Sequence, residues 1–145
     1  MSCLIDTGIL LRAFDRTFAD YRAVRQALRV LLRRRETRFV TVQNLAEFWN
    51  VATRPLDKNG YGLSVEQASR RLRWIERYCQ VATEDYRSFH IWKTLLTTHA
   101  LTGVAVHDAR LVSVMLARHI PEILTLNMRD FRRYADIGVV TPNEL

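Results

Sequence analysis

Five short apolar runs, at 3–5, 38–42, 78–82, 123–126 and 139–141, alternate with segments of helical periodicity along the 145 residues. Strands separated by helices are too far apart in sequence for tight hairpins and must be joined by crossovers. The expectation is therefore an α/β fold with a mainly parallel sheet and right-handed connections. Ligands of such sheets gather in the crevice outside the carboxyl ends of the strands. The intervening helices are read from their apolar stripes. Val24, Ala27, Leu28, Leu31 and Leu32 make one, with Arg22, Arg25, Arg29 and Arg33 to Arg35 on the other faces, a wet basic side able to track a phosphate backbone. Leu45, Phe48, Trp49 and Ala52 make the next. Val65, Ala68, Leu72 and Ile75 follow a capping box that opens on Ser64 and closes on Gln67. Phe89, Trp92 and Leu96 mark a further helix as a core-facing stripe, and Leu111, Val112, Met115 and Leu116 point inward from the last long one.

This length suits one domain spanning 1–145, with a core that needs no staples. No stretch approaches the roughly 18 apolar residues of a membrane span, and the start lacks the basic region of a signal peptide. Cys3 and Cys79 sit in apolar contexts, as small buried hydrophobes of a reducing compartment do. The cytoplasm is the expected location. A net charge of +7, dominated by Arg over Lys, favours a polyanionic partner, chiefly nucleic acid, over a merely solvated face or an acidic protein.

Against that basic background, a few acids stand at the junctions of strands and helices. Asp6 ends the first run, followed by Thr7, and either would also serve as an ordinary N-cap. Glu47 lies well off the apolar stripe of its helix, on a face shared with Asn44 and Val51. Asp108 falls in the first turn of a helix, where the macrodipole alone accounts for an acid. Asn127 and Asp130 follow the fourth run. Converging carboxylates raise each other's pKa unless a cation compensates, and oxygen-only donors suit Mg²⁺ or Mn²⁺. His107, beside Asp108, reads better as a neighbour of the helix start than as a general base. Gly60 and Gly62 make no phosphate loop, and Ser113 lacks the context of a nucleophile elbow.

The segments Leu4–Leu10, Asn44–Pro55, Val106–Val112 and Leu124–Phe131, in that order, resemble the PIN domain nucleases, and among them the VapC toxin ribonucleases. The resemblance implies a five-stranded parallel sheet in the order 3-2-1-4-5, flanked by helices in three layers, with a divalent-metal site at its carboxyl edge. It matches Asp6 and Asp108 to direct metal-binding acids and Glu47 to a third acid that holds metal or orients water. Asn127 and Asp130 share the fourth position, and Thr7 is matched to contact with water or phosphate. The function it implies is that of a Mg²⁺-dependent endoribonuclease, the toxin of a type II toxin–antitoxin system, with an RNA substrate, a cognate antitoxin and a homodimeric state. The alternative is a catalytically silent PIN fold that binds RNA or protein. One departure stands out: Gly8 occupies a position where the family usually has Asn, which would brace the site.

Overall fold

The computed structural model describes all of residues 1–145. Its elements run β1 (Ser2–Ile5), α1 (Thr7–Arg12), α2 (Tyr21–Arg33), β2 (Thr37–Thr41), α3 (Val42–Thr53), α4 (Val65–Tyr78), β3 (Gln80–Ala82), α5 (Tyr86–Thr98), α6 (Ala105–Arg118), β4 (Glu122–Leu124), α7 (Met128–Phe131) and β5 (Gly138–Val140). All four strand pairings are parallel, and the order across the sheet is 3-2-1-4-5. The fold is thus the α/β architecture expected, a five-stranded parallel sheet with helices on both faces.

The strand limits differ from those of the apolar runs by one or two residues, and local chemistry explains several of them. Tyr78 and Cys79 do not open β3, because Tyr78 completes α4 and Cys79 caps it. Thr125 lies beyond the end of β4, although its N–H still donates to the Val140 carbonyl. Val42 leaves β2 to begin α3, because Thr41 and Asn44 form a capping box that starts the helix there. The capping box at Ser64 and Gln67 opens α4 as expected.

Two clusters of buried side chains lie on the two faces of the sheet. One joins Ile5, Ile9, Val24, Leu28, Phe48 and Ile75, under α1 to α4. The other joins Leu4, Ala109, Val112, Met115, Ile123 and Phe131, under α6 and α7. Alternate residues of β1 serve opposite faces, as the strand pleat requires. Three expectations of burial fail, the first at Val65, which is exposed in the first turn of α4. Leu32 is 53% exposed at the edge of its helix. Phe89 is 46% exposed, and Ser88 is the only fully buried residue of α5. The aromatic stripe of α5 therefore meets solvent: that helix packs against α6 through half-buried side chains and leaves Tyr86 and Phe89 outward.

Phe48 is completely buried and packs its ring 6.3 Å from that of Phe14. Phe48→Ala is expected to lower unfolding stability by about 3–5 kcal/mol, measured by urea denaturation.

Candidate functional site

The parallel sheet sends the ends of β1 and β2 straight into α1 and α3, so the residues at those turns meet at one edge. Asp6 is the N-cap of α1, as its residue type favours. Its Oδ1 accepts the Thr7 N–H at 2.9 Å, and its Oδ2 accepts the Thr125 hydroxyl at 2.6 Å. The capping role and the site role are thus filled by the same carboxylate. Thr125 is completely buried, and its hydroxyl oxygen also receives the Asn127 N–H at 3.0 Å.

Thr7 links the two junctions. Its hydroxyl donates to Glu47 Oε2 at 2.7 Å and accepts from Asn44 Nδ2 at 3.1 Å. Asn44 Oδ1 in turn accepts both the N–H and the hydroxyl of Thr41, each at 2.9 Å. The other carboxylate oxygen of Glu47 accepts from Gln43 Nε2 at 3.0 Å, and the same nitrogen donates to the His107 carbonyl at 2.9 Å. Gln43 therefore ties α3 to the first turn of α6, one residue from Asp108.

The electrostatics draw the four acids together. Burial pushes the Asp6 carboxyl up, the bonds from Thr125 and Thr7 pull it down, and the charges of Glu47 and Asp130 raise it again. Asp108 is pushed up to about 6, by burial first and then by Asp130, Asp6 and Glu47, with the Arg133 charge working the other way. Asp6, Thr7, Glu47, Asp108 and Asp130 therefore share one locality. Asn127, exposed at the start of α7, makes no side-chain capping bond, and Asp130 within the same short helix is exposed as well. His107 is exposed and contributes its backbone carbonyl. No three of the His, Cys, Asp and Glu side chains stand close enough together to enclose an ion as they lie.

Three residues of this network escape a reading of apolar stripes. Asn44 is completely buried, in line with Phe48 and Ala52, rather than on the outer face. A polar residue at the spacing i, i+4, i+8 with two apolar ones was the available signal. Thr125 and Gln43 carried none, since their partners lie 119 and 64 residues away. Gly8 sits in α1, where an added Cβ would meet only Leu126 Cδ1 at an ordinary 3.7 Å.

The family model described as "PIN domain" matches residues 3–137. No curated protein matches the chain. Among solved structures, a toxin-antitoxin complex from Klebsiella pneumoniae aligns with 21% identity and a TM-score of 0.70, over 99% of this chain and 100% of that one. VapBC2 from Rickettsia felis, bound to a DNA fragment from the promoter, aligns with 17% identity and a TM-score of 0.72, over 97% and 98%. VapC20 from Mycobacterium tuberculosis, described as a sarcin-ricin loop cleaving toxin, aligns with 15% identity and a TM-score of 0.60, over 84% and 87%.

Two measurements check the site. Between the ordinary carboxyl pKa and about 6, the folded chain retains a proton on Asp108 that the unfolded chain has released. Stability in chelator is therefore expected to fall as pH rises through that window, and Asp108→Asn is expected to flatten the fall in thermal unfolding. Gly8→Ala should raise stability by up to about 0.5 kcal/mol in thermal unfolding, the low end of the cost of glycine in a helix, because Gly8 lies in the first turn of α1.

Proposed function

Because the chain belongs to the PIN domain family, we propose that it is a single-domain, metal-dependent endoribonuclease acting as the toxin of a type II toxin–antitoxin system. The observation that carries this reading is that Asp6 and Asp108, from two different elements, each feel the charges of Glu47 and Asp130 at one edge of a protein with net charge +7. Such a concentration of acid is costly for a nucleic-acid enzyme unless a cation offsets it.

The donor set fits a hard divalent ion: oxygen only, with more negative charge than Arg133 answers. Mg²⁺ typically takes one or two carboxylates and keeps several waters, so it needs no cage of three protein side chains. Asp6 and Asp108 would hold it, with Glu47 as the third acid and Mn²⁺ as a substitute. The chemistry supplied there is polarisation of the scissile phosphate and activation of water at neutral pH.

The chain's own residues do the rest. Glu47, its oxygens fixed by Thr7 and Gln43, is held to orient the attacking water or accept its proton. Thr7, 8% exposed, keeps that carboxylate in place, and contact with water or phosphate is the role its match implies. Asp130, whose charge reaches both Asp6 and Asp108, serves as the fourth acid, with Asn127 the alternative donor at that position. Thr125 holds the Asp6 carboxylate in one orientation.

A cognate antitoxin and a second copy of the chain complete the proposal. Toxin–antitoxin complexes among the similar structures support the first. The solvent-facing aromatics of α5 support a protein contact. No helix is long and apolar enough to cross a membrane, and the cytoplasm is the proposed location.

The test is cleavage of a panel of structured RNAs in Mg²⁺, Mn²⁺ or chelator, with inhibitor-free protein. Cutting should require the divalent ion and fall by about 100-fold or more in Asp6→Asn and in Asp108→Asn. Cutting that survives in both folded variants overturns the mechanism, and no cutting of any RNA by the wild type overturns the nuclease. Gly8→Asn should retain the fold, and its activity relative to wild type reports whether an amide there braces the site.

A further inference from the structure

The excess positive charge of this chain is confined to one part of its surface. Residues 21–38 and 65–78 contain eleven arginines against three glutamates, a net charge of +8, whereas the whole chain has +7. The remainder, which includes the four site acids, is therefore slightly acidic. A substrate phosphate backbone is drawn first to α2 and α4, not to the carboxylates.

The two helices stand side by side. The Tyr78 hydroxyl of α4 donates to the Leu28 carbonyl of α2, and the Arg25 guanidinium lies 5.7 Å from the centre of the Trp74 ring. Along α2, positions 22, 25, 29 and 33 fall within a narrow arc at 100° per residue, over a helix about 20 Å long at about 1.5 Å per residue. No acid lies on α2, and none of these four arginines forms an ion pair. On α4, Arg70, Arg71, Arg73 and Arg77 are likewise without ion pairs.

Between the helices runs a groove with two adjoining hollows of about 210 and 400 Å³, sharing Leu32 and Tyr78. Its floor is partly aromatic: Trp74 and Tyr78 stack with ring centres 5.1 Å apart and planes 7° from parallel. Arg38 lies over Tyr78 at 4.5 Å. The larger hollow takes in Thr37 and Gln80, at the amino ends of β2 and β3, so it opens at the edge of the sheet opposite Asp6.

We infer that the α2–α4 face is an RNA-binding exosite, which holds the phosphate backbone of the substrate at a distance from the scissile bond. Unpaired arginines in a row match the chemistry of a phosphodiester strand: guanidinium forks grip phosphates, while the stacked Trp74 and Tyr78 rings, covered by each other and by Arg25 and Arg38, give the groove a firm floor. An acidic peptide would meet the same charge. It is the less favoured occupant, because the arginines extend along the outer faces of both helices and beyond the apolar floor between them. The exosite explains how a cleft lined with acids retains a polyanion. Its role as a substrate site rests on the proposed ribonuclease activity.

The test uses the full-length chain with a labelled stem-loop RNA in chelator, read by fluorescence anisotropy over a range of KCl. The variant R29Q/R33Q/R70Q/R73Q changes four exposed side chains with no ion-pair partners, and the single variant R29Q guards against failure to fold. The quadruple variant should weaken binding by at least about tenfold and lower the slope of log Kd against log salt by about 3. In Mg²⁺ or Mn²⁺, its KM for the stem-loop should rise with kcat retained, while cleavage of a short oligonucleotide spanning only the scissile bond stays unchanged. Unchanged RNA affinity and salt slope in the folded quadruple variant overturn the exosite. So does unchanged RNA affinity in a variant that loses binding to polyglutamate, which assigns the face to an acidic peptide. Because binding is read without metal, RNA held through these arginines but never cut leaves the exosite standing and removes the nuclease. RNA cut but bound equally by the variant does the reverse.

Discussion

A threonine hydroxyl has one proton to give, and at Thr7 it goes to Glu47. That bond, 2.7 Å long, joins the junction after β1 to a helix that begins after β2, across 40 residues of sequence. Asn44 completes the arrangement from the buried side: its amide nitrogen occupies the acceptor face of the same hydroxyl, and its carbonyl oxygen is held by Thr41. With both faces of the hydroxyl engaged, the proton has one direction left. A buried polar chain of this kind, fully partnered, specifies one geometry more sharply than apolar packing does. The orientation of Glu47 relative to Asp6 follows from it.

The proposed activity sets two electrostatic tasks that oppose one another. Close carboxylates suit a divalent ion and repel a phosphate backbone, whereas arginines attract the backbone and would compete with the ion for the carboxylates. Placing the acids at the carboxyl edge of the sheet, and the excess of positive charge on and beside α2 and α4, keeps the tasks apart within one small domain. Arg133, whose charge draws the Asp108 carboxyl down against its acidic neighbours, is a cation at the edge itself.

Most of the fold was legible because alternating strands and helices leave few topologies, and the order 3-2-1-4-5 agrees with what the resemblance implied. Asp6 and Glu47 were legible for a related reason: a carboxylate that interrupts an apolar pattern at a strand end, or stands off a helix stripe, has no packing role to explain it. Asn44 was misplaced for the opposite reason. Its polar atoms are satisfied by Thr41 and Thr7, and once satisfied they are buried as readily as Phe48 beside them. Phe89 was misplaced because an aromatic stripe records only that a helix has an apolar face, and not whether the chain itself covers that face. Asn127 and Asp130 stand three residues apart at the start of and within the short α7, both exposed, and no local pattern separates them.

Asp6, Thr7 and Glu47 are anchored by side chains of the cluster under α1 to α4, whereas Asp108 and Asp130 are anchored by those of the cluster on the opposite face. The site is therefore a seam, and the spacing of its acids measures how the two halves of the molecule are aligned. Gln43 is a clasp across that seam, gripping Glu47 on one side and the His107 backbone on the other. A binding partner needs to touch no carboxylate in order to disarm such a site. Leverage on α5 or α6 from outside, sufficient to open the clasp, would separate the acids while each half stayed intact.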